Sequence, residues 1–248
     1  MKNRKKQFLK IGGIVAVFAV VGIVAGVMQY KKDHRFDLTV AEHTISKEEY
    51  VNCMESVEYD TKMQIQQDYD AVYGDDFWKK KYKEKYGYEI LAENTVEQLK
   101  YIHTVYDLAK ENGDISDSSY EALEKRWKDE NAERKEKVEK GEVIYGLKEY
   151  TFPLYLDYEI STLKEKYCSD TDREGMELTE DEIVEHYKSR DWIFGVSEED
   201  AVLDTARVAV ERELREQKYD DMIAQREEDS QVEGNMEDIN HFTLENLQ

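Results

Sequence analysis

Residues 45–65, ISKEEYVNCMESVEYDTKMQI, open on Ser46 with Glu49 three positions later, a capping box that starts a helix by satisfying two otherwise orphaned backbone N–H groups. Tyr50, Cys53, Met54, Val57, Thr61 and Ile65 follow at helical spacing, so they share one face. The stretch predicts an amphipathic helix ending before Gly74, and the chain downstream repeats the device. Asn94 with Glu97 predicts a second start, with Leu99, Ile102, Val105, Tyr106 and Ala109 on its face and a left-handed cap at Asn112-Gly113. A third helix is expected from about Ser116 to Lys140, stopping at Gly141. Its stripe is Tyr120, Leu123, Trp127, Asn131, Arg134 and Val138. The two polar members either hydrogen-bond to a neighbouring segment or mark an end that projects into water.

Extended Val143-Ile144-Tyr145-Gly146 precedes a fourth helix, where Pro153 is tolerated in the first turn and Phe152, Leu156, Ile160, Leu163 and Tyr167 lie on one side. Thr179 with Glu182 caps a short fifth helix ending near Tyr187. Val202, Leu203, Ala206, Val210 and Leu214 mark a sixth, running to about Arg226. Upstream, Phe36 to Ile45 alternates imperfectly and is the one plausible strand. A single proline in 248 residues and 37 % charged residues suit long exposed helices with few tight turns. The expected class is mostly α, an elongated helical domain with at most one or two short strands.

Ile11 to Tyr30, IGGIVAVFAVVGIVAGVMQY, carries no charge and as a helix would reach about 30 Å, the thickness of a bilayer's hydrocarbon core. Lys2, Arg4, Lys5, Lys6 and Lys10 precede it without an acid, whereas Lys31, Lys32 and Arg35 are diluted by Asp33 and Asp37. That bias places the N-terminus in the cytoplasm. A cleavable signal peptide is the rival, but its apolar region is usually about 7 to 15 residues and ends at a small-residue site. No cysteine follows the run where a lipid anchor would need one. The expected organisation is a basic cytoplasmic tail over 1–10, a transmembrane signal anchor over 11–30, an extracytoplasmic helical domain over 31–228 and a polar tail over 229–248. The expected location is the cell membrane, single-pass.

Removing those five basic residues from the formal charge of −22 leaves −27 on the remainder, which repels nucleic acid and anionic headgroups. Nucleic-acid binding is excluded. Cys53 and Cys168 are too few for a disulfide scaffold, and both fall on apolar helical stripes; whether they pair is left open. Histidines at 34, 43, 103, 186 and 241 are scattered without metal-ligand spacing. Placing Gly113 at the glycine of a calcium loop puts Leu108 and Ser119 at ligand ends, so that motif fails. There is no nucleophile elbow or phosphate-cradling loop, and acidic pairs such as Asp75-Asp76 arise readily among 57 acids. No catalytic residue, metal or cofactor is expected, and the chain is read as a non-enzyme.

The unusual feature is aromatic: 18 tyrosines, 3 tryptophans and 7 phenylalanines, gathered around Phe77-Trp78, Tyr82, Tyr86, Tyr88 and around Tyr145, Tyr150, Phe152, Tyr155, Tyr158. Such rings give large contact area at low entropic cost, which suits a surface for varied extended peptides. They serve equally as the core of a leucine-poor protein. Candidate client-binding residues are Phe77, Trp78, Tyr82, Phe152, Tyr155 and Tyr158.

Several of these segments together resemble the helical N-terminal domain of extracytoplasmic peptidyl-prolyl isomerases and chaperones, the SurA/PrsA-like group. They are the strand leading into Ile45-Ser46-Lys47-Glu48-Glu49-Tyr50, Asp76-Phe77-Trp78 and Leu108-Ala109-Lys110-Glu111-Asn112-Gly113. Asn131 with Arg134, Val143-Ile144-Tyr145-Gly146, and Leu178-Thr179-Glu180-Asp181-Glu182-Ile183 to Tyr187 complete the likeness, which covers roughly 36–226. Members of that group often carry a parvulin-type isomerase domain after the short helix, and too few residues separate Tyr187 from Val202 to hold one. The resemblance thus implies a membrane-anchored holdase for unfolded exported polypeptides, without isomerase activity. A structural or accessory subunit docking on one envelope or transporter partner is the alternative.

Overall fold

The computed structural model describes residues 36–194 and 201–247. Seven helices account for most of them: α1 (Lys47–Tyr69), α2 (Gly87–Glu111), α3 (Tyr120–Glu139), α4 (Phe152–Ser169), α5 (Glu180–Lys188), α6 (Leu203–Asp229) and α7 (Met236–Asn246). The expected caps at Ser46 and Thr179 form as reciprocal capping boxes, and Pro153 occupies the first turn of α4. Gly113 and Gly141 take the left-handed conformation after α2 and α3.

The start of α2 differs from expectation by two turns. The helix begins at Gly87 because Gly87 lies against the chain at Phe77 and Trp78; a Cβ there would sit 3.0 Å from the Phe77 carbonyl oxygen and the Trp78 Cα. Asn94, read as a cap, lies inside the helix and hydrogen-bonds to Thr61 Oγ1 at 3.0 Å and Gln64 Oε1 at 2.9 Å across α1.

Strand content is higher than the one or two expected. Phe36 to Ile45 is a hairpin, β1 (Leu38–Val40) and β2 (His43–Thr44), because Ala41 and Glu42 both adopt positive φ and reverse the chain. Antiparallel β3 (Lys81–Tyr82) and β4 (Lys85–Tyr86) form a second hairpin. The stretch 229–248, expected to be a polar tail, instead carries β5 (Val232–Gly234) and α7. β5 pairs antiparallel with β1, Thr39 opposite Glu233, which makes β1 the central strand of the order β2-β1-β5. On α7, Ile239 and Thr243 are completely buried, and Thr243 Oγ1 lies 2.6 Å from the Tyr50 hydroxyl.

Helix α2 is the axis of the core, touching α1, α4, α6, α7, β1 and β4. Its buried face, Leu91, Val96, Leu99, Ile102, Val105, Tyr106 and Ala109, packs with Tyr50, Met54 and Ile65 of α1 and Leu156, Ile160 and Leu163 of α4. A smaller cluster, Ile183, Trp192, Ala206 and Val210, joins α5 to α6. Cys53 and Cys168 are both free and buried, with the thiols directed to the Thr95 and Arg215 carbonyls. Burial pushes the Cys168 thiol up to about 11, which keeps it protonated and unreactive at neutral pH.

The single-pass membrane placement is corrected here. Among the described residues no helix is long and apolar enough to cross a membrane, and the 11–30 stretch on which the placement rested lies outside the described residues.

Candidate functional site

Helix α3 is held to the core by one end only. Leu123 is its one buried residue, and a carboxylate anchors it nearby: Glu159 of α4 receives Arg126 Nε on Oε1 at 2.7 Å and Arg126 Nη2 on Oε2 at 3.1 Å. The same carboxylate accepts the Tyr155 hydroxyl at 2.8 Å and the Tyr106 hydroxyl at 2.7 Å. Burial and the neighbouring Glu159 charge raise both phenols far above their ordinary range, so they act purely as donors.

Beyond that anchor the two polar members of the α3 stripe organise the loop that follows. The Asn131 amide pairs both ways with the Tyr150 backbone, accepting its N–H at 2.8 Å and donating to its carbonyl at 2.9 Å. Trp127 Nε1 donates to the same carbonyl at 2.8 Å. Arg134, held by Glu130 at 2.7 Å and lying over the Tyr150 ring, donates to the Tyr145 carbonyl at 3.2 Å and the Leu147 carbonyl at 2.7 Å. The side chains that spoil the apolar stripe therefore clamp the backbone of 145–150.

The clamp turns the loop's apolar side chains outward. Tyr145 is 87 % exposed and Val143 76 %, with Leu147, Leu154, Tyr158 and Val138 also exposed around them. This is an ordered apolar ledge at the α3–α4 connection. Fixing a loop by main-chain contacts while exposing its large side chains leaves little entropy to be lost when something binds.

The six residues singled out from sequence divide between core and surface. Phe77, Trp78, Tyr82 and Tyr155 are buried, Phe152 is half-buried against Trp127 and Tyr120, and Tyr158 is exposed. A client surface shared by all six is corrected accordingly: Phe77 packs edge-on to Trp78 and against Tyr82 under the β3–β4 hairpin, and among the described residues no ring contact joins that group to Tyr155 and Tyr158. Val143, Leu147 and Leu154 are not among the client-binding candidates of the sequence, where Val143 appears only as part of the extended run before α4. Among the described residues no group of three or more His, Cys, Asp or Glu side chains is placed to hold a metal ion.

No protein-family model matches the chain, and no solved structure matches it. The chain is 28 % identical over 184 residues to a protein of Bifidobacterium longum subsp. longum named as a chaperone for lacto-N-biosidase. The match takes in 74 % of this chain and 66 % of the relative's own length.

Proposed function

We propose that this protein is a holdase-type chaperone whose α3–α4 ledge receives an unfolded or partly folded client. The observation that carries this reading is the clamp: Asn131 and Arg134 hold the 145–150 backbone so that Val143, Tyr145 and Leu147 stand in water, where a folded chain has no structural use for them. An exposed apolar patch on so acidic a chain can meet a client without seeding self-association, because the net charge keeps copies apart. The reading agrees with the SurA/PrsA-like resemblance and requires neither prolyl isomerisation nor a cofactor.

A dedicated client is the second reading, and the name of the Bifidobacterium relative favours it, since that protein is named for one enzyme. Two assays separate the readings. Suppression of heat aggregation of an unrelated enzyme is expected to fall by half or more in Val143→Ser/Tyr145→Ser/Leu147→Ser, with the melting midpoint nearly unchanged because surface substitutions usually cost within about 0.5 kcal/mol. Refolding yield of a lacto-N-biosidase, tested alongside, would be the sole activity of a dedicated chaperone. Full activity of the triple variant in both assays would remove the ledge from consideration.

A further inference from the structure

Two long helices end at one cleft. α2 finishes at Glu111 and α6 at Asp229, and with the β1–β2 turn at Ala41-Glu42 they enclose an open space of about 400 Å³. The turn is fixed there by the Ala41 N–H, which donates to the Gln231 carbonyl at 3.0 Å. Four carboxylates line the cleft, those of Glu42, Asp107, Glu111 and Asp229. Asp107 is taken by His43 and Glu111 by Arg226, each at 2.9 Å, but among the described residues no cation pairs with Glu42 or Asp229. Acids on the last residues of helices oppose the macrodipole, whose negative end favours cations. Lys110 and Arg226 are the basic residues of the two last turns, and only Arg226 lines the cleft. The negative charge gathered here therefore works against both helices and is not balanced by the chain itself. Helix α2 adds a buried hydroxyl. Thr104, one turn before Asp107 and two before Glu111, lies on the same helix face and lines the cleft. It is 5 % exposed, yet its Oγ1 has no hydrogen-bond partner, a state that native proteins rarely leave without a use.

We propose that this cleft binds an alkylammonium group, the head of a lysine side chain or of a free diamine. An ammonium carries three donors and no acceptor, which matches the Thr104 hydroxyl and the two unpaired carboxylates of Glu42 and Asp229. A metal ion does not fit, since among the described residues no group of three His, Cys, Asp or Glu side chains converges closely enough to hold one. A guanidinium already occupies the Glu111 side as Arg226, and its planar fork suits one bidentate carboxylate better than a hydroxyl and two separate acids. The site uses none of the ledge residues, so it stands or falls apart from the client reading above.

A formal charge of −22 attracts any cation diffusely, so the readout has to be local. The whole protein is titrated at constant ionic strength with 1,5-diaminopentane, with Nα-acetyl-lysine methylamide and with the norleucine and arginine counterparts of the latter, while backbone amide shifts are followed. The two ammonium probes are expected to give saturable shifts at Glu42, Thr104, Glu111 and Gln231, and the norleucine compound none. Glu42→Gln/Asp229→Asn should weaken binding by at least about tenfold. Thr104→Val keeps the shape without the hydroxyl and should weaken it about twofold to tenfold, with the melting midpoint unchanged or raised. Asp75→Asn/Asp76→Asn, which removes acids outside the cleft, should leave binding as it is. Tighter binding of diaminopentane assigns the site to a free diamine, and equal or tighter binding of the lysine compound assigns it to a peptide side chain; either result upholds the ammonium site. Shifts spread evenly over the acidic surface, unchanged affinity in either cleft variant, stronger binding of the arginine compound, or the same shifts from calcium chloride overturn it.

Discussion

Glu159 shows how much one side chain can hold. Its carboxylate gathers Arg126 from α3, Tyr106 from α2 and Tyr155 from its own helix, so Glu159→Ala leaves a half-buried guanidinium and two hydroxyls without their acceptor. The expected loss is toward the lower end of the roughly 3 to 5 kcal/mol typical of a broken buried pair, because Arg126 keeps some access to water. Chemical denaturation would measure it; a loss below about 1 kcal/mol would mean that the network is ornamental. His43 makes a second, titratable contact. It lies flat on His103, ring centres 4.2 Å apart, and the Asp107 carboxylate 2.9 Å from its Nε2 raises its pKa against the opposing effect of burial. A raised folded pKa means that the contribution is complete below the unfolded value of about 6.5 and is lost as pH rises through the folded value. The stability gap between wild type and His43→Gln should therefore be larger at pH 6 than at pH 9, and a gap that widens with pH would contradict this. Neither network was readable from sequence, since Glu159, Arg126 and Tyr106 come from three helices whose mutual placement no local pattern records.

Among the elements, the helices were the legible part because caps and apolar spacing are local. Ser46 with Glu49 and Thr179 with Glu182 declare themselves within four residues, and both form. The start of α2 was missed because the deciding contact, Gly87 against the backbone of Phe77 and Trp78, is tertiary. Gly87→Ala is expected to cost about 1 to 3 kcal/mol by forcing a Cβ into backbone atoms that have no flexible end to move aside. The C-terminal α7 was hidden by composition: surrounded by Glu, Asp and Asn, its Ile239, Phe242 and Thr243 look too sparse to pack, yet Ile239 is wholly buried. Ile239→Ala should cost about 2 to 5 kcal/mol, whereas a true tail residue would cost nothing measurable in a melting experiment.

At the scale of the whole molecule, charge is the dominant fact. A formal charge of −22 on 248 residues must strain the folded state by self-repulsion, even with ion pairs such as Arg207 to Glu180 and Arg173 to Asp114 distributed across the surface. Raising sodium chloride from 0.01 to 1 M shortens the screening length from about 30 to about 3 Å, so the melting midpoint should rise with salt. A midpoint that falls would mean that the ion pairs outweigh the repulsion. The division of the aromatics could not be read at this scale, because burial depends on where elements meet: Trp78 and Tyr155 serve the core, and Tyr145 and Tyr158 face water.

The arrangement of the small sheet sets a condition on biosynthesis. β1 lies between β2, its immediate neighbour in the chain, and β5, which is translated only near residue 233. A growing chain can form the local hairpin early, but one edge of β1 and the surface over Tyr50 stay uncovered until β5 and α7 have emerged. Closing so long a loop is slow, since its entropy is lost before any contact rewards it. The chain thus spends its longest vulnerable interval incomplete, and nascent chains stalled before residue 232 should remain open to protease.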